Sequence, residues 1–110
     1  WFMPFAGTWD DPYFQDRQDW FAKREDGKPY DTSWGGTSLD LTRSDVQEYL
    51  RSNVQRMTSE WGYKYLKMDG LYTGAAVEQQ YVNDAYKDDG IGNAILSDPT
   101  KTNVEALRTG

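Results

Sequence analysis

The 110-residue sequence predicts an α/β fold with parallel strands. Strand-type and helix-type patterns alternate in the order strand, long loop, helix, strand, long loop, helix, which is typical of parallel α/β proteins. Hydrophobic residues make up 37% of the chain and charged residues 27%, with five Trp, eight Tyr and four Phe. This composition indicates a packed chain, because disordered segments are poor in aromatic residues.

The first half of the chain predicts a short strand followed by a long loop. The apolar residues 1–7 form the strand, and Pro4 ends it because proline cannot continue a ladder of hydrogen bonds. Residues 8–38 are rich in Asp, Gly, Trp and Tyr, and Asp26-Gly27 predicts a hairpin turn between apolar segments. Loops of this length in compact proteins are usually functional.

A helix over residues 43–61 is the strongest local prediction. Thr42 and Asp45 have the spacing of a capping box, and Gly62 stands where a left-handed glycine ends a helix. Apolar residues recur at helical spacing between them: Val46, Tyr49, Leu50, Val54, Met57 and Trp61. Trp61 is therefore predicted to lie in the core.

Residues 63–70 then alternate as a second strand, and a second long loop follows over residues 71–97, with a helical turn expected at 77–86. Ser97-Asp98-Pro99 predicts the start of the last helix, because proline is favoured in a first helical turn. Val104 and Leu107 would form the apolar face of that helix.

The composition of the chain excludes several kinds of partner and catalytic group. The formal charge is −6 and no basic run occurs, so we expect neither nucleic acid nor an anionic membrane as a partner, and a neutral ligand fits better. The absence of His and Cys excludes the Ser-His-Asp and Cys-His triads and thiolate sites. Any catalysis must use carboxylates. The chain begins in an apolar stretch at Trp1 and stops after a helical pattern at Gly110, so we expect further sequence on each side.

The candidate reactive group is at the end of the second strand. On a strand, Tyr65, Lys67 and Asp69 share one face, whereas Leu66 and Met68 point to the other face. Lys67 could bind a sugar hydroxyl and keep Asp69 ionised through its positive charge. An ionised carboxylate is the form that attacks an anomeric carbon. A Lys-x-Asp pair that forms only a structural salt bridge is the alternative.

The chain resembles glycoside hydrolase family 36, the α-galactosidase family, and its clan relatives in families 27 and 31. The resemblance rests on residues 39–42, the helix after them, and residues 60–69. It implies that residues 1–110 are a partial catalytic domain, a segment of a (β/α)₈ barrel with about two βα units, the third and fourth. It also implies that Asp69 is the nucleophile and Lys67 a substrate-binding residue.

Two positions depart from the family pattern. The family's Trp-x-Glu-Pro in the third strand reads Trp1-Phe2-Met3-Pro4 here, so Trp1 would bind substrate without the acidic neighbour. The family's Lys-Trp-Asp reads Lys67-Met68-Asp69, a change on the face away from the sugar. The general acid/base of the family comes from a later strand, past Gly110.

The resemblance implies a retaining, exo-acting α-glycosidase that removes terminal α-linked galactose or N-acetylgalactosamine from an oligosaccharide or glycan. It implies neither a cofactor nor a metal, and it leaves oligomeric state and localisation open. Two alternatives remain: a carbohydrate-binding module without catalysis, and a transglycosidase of the raffinose-synthase type.

Several residues have competing interpretations. Loop tryptophans at positions 9, 20 and 34 could stack on sugar rings, but pinning the loop to the rest of the protein is favoured. The acidic run at 84–89 is interpreted as a solvated turn rather than a calcium site, because its spacing does not match an EF-hand loop. Asp40 is expected to bind backbone amides ahead of the helix. Gly70 and Gly74 could let the backbone approach substrate or only shape the loop.

Overall fold

A computed structural model describes residues 1–32, 36–76 and 94–110. The regular elements are β1 (Ala6–Gly7), a 3₁₀ helix (Pro12–Trp20), β2 (Asp31–Thr32), β3 (Gly36–Ser38), α1 (Ser44–Gln55), a π turn (Arg56–Glu60), a second 3₁₀ helix (Leu71–Ala75) and α2 (Asn103–Thr109). Trp34, the expected turn at 77–86 and the acidic run at 84–89 lie outside the described residues. The chain thus contains both helices and strands, as predicted.

The three strands form an antiparallel sheet in the order β1-β3-β2. Strand β1 comes from the end of the segment 1–7, whereas β2 and β3 lie within the long loop. The predicted turn in that loop is confirmed: Gly27 has a positive φ of 81°, and Lys23 pairs with Pro29 across the turn. Asp26 stabilises the turn by accepting a hydrogen bond from the Lys28 amide at 3.0 Å. The sheet was not expected from the alternation of strands and helices, because each strand has only two or three residues.

The two predicted strands lie side by side and run parallel, but their pairing is short. Phe2 and Met68 form an isolated parallel bridge. The Phe2 amide donates to the Lys67 carbonyl, and the Asp69 amide donates to the Phe2 carbonyl, each at 3.0 Å. The predicted strand over residues 63–70 is therefore reduced to a single bridged residue, and Pro4 begins a turn as expected.

Helix α1 begins and ends close to the prediction. Its N-cap is Arg43, which makes no side-chain capping bond, so the predicted capping box of Thr42 and Asp45 is wrong. The last turn widens to a π turn, and Gly62 follows with a φ of 72°, which confirms the left-handed residue that ends the helix. The Tyr63 amide then donates to the Met57 carbonyl at 3.0 Å, which satisfies one of the last helical carbonyls.

Only the first half of α1 is covered by other residues. Val46 and Leu50 are buried, whereas Val54 is 38% exposed and Trp61 is 62% exposed. The prediction that Trp61 lies in the core is therefore wrong. Helical spacing identifies a face but does not show whether other residues cover the whole length of that face.

Helix α2 begins later than predicted. Its N-cap is Thr102, which forms a capping box with Glu105, whereas Ser97-Asp98-Pro99 forms a turn instead. Asp98 stabilises that turn by accepting hydrogen bonds from the Thr100 amide and hydroxyl at 2.9 and 2.6 Å. The helix buries Asn103 and Ala106 and packs Leu107 against the core, while Val104 is 51% exposed.

The hydrophobic core lies between the first 3₁₀ helix, α1 and α2. Its buried residues are Phe14, Phe21, Leu39, Leu41, Val46, Leu50 and Ala106. Burying each large side chain contributes roughly 1.5–3 kcal/mol. Trp9 and Trp20 pack at its edge, with ring centroids 5.4 Å from Phe21 and Tyr49 respectively. These two loop tryptophans therefore pin the loop to the core, as favoured.

Asp40 connects two distant parts of the chain. This carboxylate is 1% exposed and accepts hydrogen bonds from the Thr42 amide at 3.0 Å, the Thr42 hydroxyl at 2.6 Å and the Ser97 amide at 2.6 Å. The expectation that it binds backbone amides ahead of the helix is confirmed, and Ser97 adds a partner on the segment leading to α2.

Candidate functional site

The parallel bridge determines which side chains meet. Phe2 and Met68 are its partners, and side chains on a strand alternate between its faces. Both residues line a cavity of about 760 Å³ beside α1. Their neighbours Trp1 and Asp69 do not line that cavity but contact each other. The predicted separation of Met68 from Asp69 by face is therefore observed.

Both carboxylate oxygens of Asp69 accept hydrogen bonds. The Trp1 indole Nε1–H donates to Oδ2 at 3.1 Å, and the Gly70 amide donates to Oδ1 at 2.9 Å. The Asp69 side chain is half-buried, whereas Trp1 is 70% exposed. The carboxylate is thus held by the backbone amide of the next residue and by one donor from the neighbouring segment.

Lys67 forms no ion pair with Asp69 among the described residues. The lysine is exposed, and Trp1 is instead the side chain that contacts Asp69. The expected role of Lys67 in keeping Asp69 ionised stays a prediction.

The backbone after Asp69 is tightly fixed. Gly70 adopts a left-handed conformation with φ 59° and ψ 30°, and it begins the 3₁₀ helix Leu71–Ala75. The Thr73 amide and hydroxyl both donate to the Gly70 carbonyl, at 3.0 and 2.8 Å. The buried Asn103 amide group donates to the Ala75 carbonyl at 2.9 Å, which ties this loop to α2.

The surroundings of Gly74 show how closely this loop packs against the core. A Cβ at this position would lie 2.8 Å from atoms of Phe5, Leu41 and Leu107. The close packing of these three side chains is therefore a sufficient reason for glycine at this position. Sequence reasoning missed the support from Asn103, although the Thr102-x-x-Glu105 capping box could have placed that residue at the start of α2.

Asp69 lines neither the cavity beside α1 nor the smaller cavity beside the first 3₁₀ helix. The cavity beside α1 is apolar and is lined by residues such as Phe2, Leu50, Trp61 and Met68. The expectation that Asp69 projects into a sugar-sized cavity at the end of a strand stays a prediction. The described residues do, however, place an aromatic side chain and a carboxylate together on the opposite face.

Two further observations concern metals and membranes. Across residues 1–32, 36–76 and 94–110, no three residues of the types His, Cys, Asp or Glu are grouped closely enough to hold a metal ion. In the same part of the chain, no helix has the length and apolar character needed to cross a membrane.

Comparison with known proteins relates the chain to a solved enzyme structure. No protein-family model matches the chain, and no curated protein sequence matches it. Among solved structures, the chain is similar to the α-galactosidase TtGalA from Thermus thermophilus, in complex with p-nitrophenyl α-D-galactopyranoside. The match has 39% sequence identity and a TM-score of 0.56, and it covers 68% of this chain and 16% of the α-galactosidase chain. The chain therefore resembles a part of an α-galactosidase.

Proposed function

We propose that this chain is part of the catalytic (β/α)₈ barrel of a retaining α-glycosidase in glycoside hydrolase family 36, contributing its third and fourth βα units. Residues 1–110 would form a partial catalytic domain. The substrate would be a terminal α-linked galactose or N-acetylgalactosamine on an oligosaccharide or glycan. The similarity to an α-galactosidase supports this assignment.

The observation that carries the proposal is the parallel pairing of Phe2 with Met68, which brings Trp1 into contact with Asp69. Helix α1 lies between the two paired segments in the sequence. A strand, a helix and a parallel neighbouring strand form the repeating unit of an α/β barrel. In such barrels the catalytic groups stand at the carboxyl ends of the strands, and Asp69 follows the bridged residue directly.

In the proposed reaction, Asp69 attacks the anomeric carbon while a carboxylic acid from another part of the barrel protonates the leaving oxygen. The bond between the sugar and the leaving oxygen breaks, and a glycosyl-aspartate forms. Water then attacks the same carbon, the bond between that carbon and Asp69 breaks and regenerates the carboxylate, and the deprotonated acid accepts the proton of the water. The sugar is released with its original configuration, because each of the two displacements inverts it.

Lys67 and Trp1 would bind the sugar. The Lys67 side chain is exposed and carries three N–H donors suited to sugar hydroxyls. Trp1 has an exposed ring next to Asp69, and the apolar face of a galactose ring fits an aromatic surface. No metal or cofactor takes part in this proposal.

Covalent trapping tests the proposal. The complete polypeptide that contains these residues is incubated with a fluorinated galactosyl trapping reagent, digested, and analysed by peptide mass spectrometry. We expect the mass of one fluorogalactosyl group on the peptide that carries Asp69. Asp69→Asn should prevent the labelling, whereas Asp26→Asn, the same change at an exposed turn, should not. Labelling at a different carboxylate would refute the assignment of Asp69.

Product analysis separates hydrolysis from transfer. A hydrolase releases free galactose from the glycosyl-aspartate, whereas a transglycosidase transfers the galactosyl group to a sugar acceptor. We expect free galactose to predominate when an acceptor sugar is present at the same concentration as the donor. A carbohydrate-binding module would bind the reagent without forming a covalent bond.

The 110 residues by themselves should be inactive. Two βα units of eight cannot close a barrel, and the carboxylic acid that protonates the leaving oxygen is proposed to lie outside them. The measurement is release of p-nitrophenol from p-nitrophenyl α-D-galactopyranoside by the purified 110-residue chain. Turnover that disappears in Asp69→Asn would show that the chain contains a complete active site.

A further inference from the structure

We infer that Trp1 is a positioning residue for the Asp69 carboxylate, and that its indole N–H orients this group for nucleophilic attack. The inference rests on the proposed function for the identity of the nucleophile. It goes further by giving Trp1 a role toward Asp69, in addition to contact with the sugar.

The geometry of the carboxylate supports this role. Rotation of an aspartate side chain about its last bond has only a broad preference, so one hydrogen bond leaves the carboxylate plane poorly fixed. Here the Gly70 amide contacts Oδ1 at 2.9 Å and the Trp1 indole contacts Oδ2 at 3.1 Å. Two donors on two different oxygens fix the plane. Each oxygen retains a second lone pair for the anomeric carbon.

The donor also has the right chemistry. The indole Nε1–H donates only and cannot accept a proton, so it stabilises the ionised carboxylate without competing for its proton. Hydrogen bonds to a charged acceptor are stronger than those between neutral groups. Trp1 and Asp69 are 68 positions apart, so this donor reaches the carboxylate from the neighbouring segment.

The contact also restricts how Trp1 can bind a sugar. The indole has a single N–H, and that donor is used by Asp69. The rest of the ring is apolar, and the residue is 70% exposed. Trp1 would therefore offer the sugar an aromatic surface and no hydrogen bond.

A spectroscopic experiment tests the contact directly. In the complete polypeptide labelled with ¹⁵N at the indole nitrogens, Trp1→Phe identifies the Trp1 cross-peak and Trp61→Phe identifies that of Trp61. Asp69→Asn replaces the charged acceptor by a neutral amide of the same shape. We expect the Trp1 indole cross-peak to move upfield and that of Trp61, which is 62% exposed, to stay in place. A Trp1 cross-peak that does not respond to Asp69→Asn overturns the inference.

Kinetics then test the positioning role. Trp1→Phe removes the N–H but keeps an aromatic surface, so kcat and the rate of covalent trapping should fall about tenfold, with KM nearly unchanged. Trp1→Leu should also raise KM, because it removes the aromatic surface. Trp61→Phe should change neither constant. An unchanged kcat with a raised KM in Trp1→Phe would show that Trp1 contacts only the sugar, which overturns the inference.

The two experiments separate the inference from the proposed function. Trapping at Asp69 together with an unresponsive Trp1 cross-peak leaves the proposed function standing and rejects the positioning role. Trapping at another residue rejects the proposed function and the positioning role together, even if the Trp1 cross-peak moves.

Discussion

Replacing Asp40 by asparagine tests whether this buried carboxylate holds the segment before α1 to the segment before α2. The substitution keeps the shape of the side chain but exchanges one oxygen for an NH₂ group. In the native chain one oxygen accepts from the amide and hydroxyl of Thr42, and the other accepts from the Ser97 amide.

The expected destabilisation follows from the groups that donate hydrogen bonds to Asp40. In one orientation of the asparagine the NH₂ group faces the Ser97 amide, and in the other it faces the Thr42 amide, so a buried N–H always loses its acceptor. The Thr42 hydroxyl can turn to accept a hydrogen bond, but a backbone N–H cannot. An unsatisfied buried donor costs about 1–3 kcal/mol, and the remaining bonds lose their charged acceptor. We expect a total destabilisation of about 2–3 kcal/mol.

The measurement is amide hydrogen exchange by mass spectrometry on peptides covering residues 40–43 and 96–99. A loss of about 2 kcal/mol corresponds to roughly 30-fold faster exchange where local opening controls the rate. Asp26→Asn is the matched control, because Asp26 also accepts from a backbone amide, that of Lys28, but its side chain is 53% exposed. Its effect should stay within about 0.5 kcal/mol.

Two results would contradict this reasoning. If Asp40→Asn and Asp26→Asn accelerate amide hydrogen exchange equally, burial of the acceptor does not determine the loss of stability. Faster exchange near residue 40 with no change near residue 97 would mean that the Ser97 contact does not hold the two segments together.

Three further predictions concern stability, each measured by urea unfolding of the chain. Ser38→Ala should be neutral or stabilising by up to about 1 kcal/mol, because the Ser38 hydroxyl is buried and has no hydrogen-bond partner among the described residues. Gly74→Ala should destabilise by about 1–2 kcal/mol, since its Cβ would crowd three core side chains whose ends can shift only slightly. The side-chain hydrogen bond from Arg43 holds the pKa of Asp45 below its usual value. The Arg43–Asp45 pair therefore makes its full contribution to the free energy of unfolding above the usual carboxyl pKa, and this contribution is lost as the pH falls below about 4. Because the Asp45 side chain is 45% exposed, the stabilisation by this pair should be only about 0.5 kcal/mol. Asp45→Asn should abolish this part of the pH dependence of stability.

Local signals predicted the helical part of the fold well. The apolar spacing in residues 43–61 matched α1 and its π turn, because a helix is determined mainly by neighbouring residues. The exposure of Trp61 could not be predicted in the same way, since it depends on whether other residues cover that end of the helix. The start of α2 was placed too early because Ser97-Asp98-Pro99 is as favourable in a turn as at a helix start.

The candidate site was predictable only in part. The sequence identified Asp69 and Trp1 as separate candidates, and strand alternation correctly separated Asp69 from Met68. The hydrogen bond between Trp1 and Asp69 depends on pairing across 68 positions, which no local pattern reveals. The placement of Lys67 beside Asp69 stays a prediction, because it follows from a shared strand face and the structure shows no ion pair between the two residues.

The register of the bridge between Phe2 and Met68 decides whether Trp1 contacts Asp69, so this contact reports on correct folding. A slip of one residue in this pairing would turn the Trp1 ring toward α1 and leave the Asp69 carboxylate on the opposite side. Misfolded molecules of that kind could retain helices and compactness and still lack the contact between the two side chains. The environment of a single indole therefore distinguishes correctly paired molecules from slipped ones, whatever the assay of activity reports.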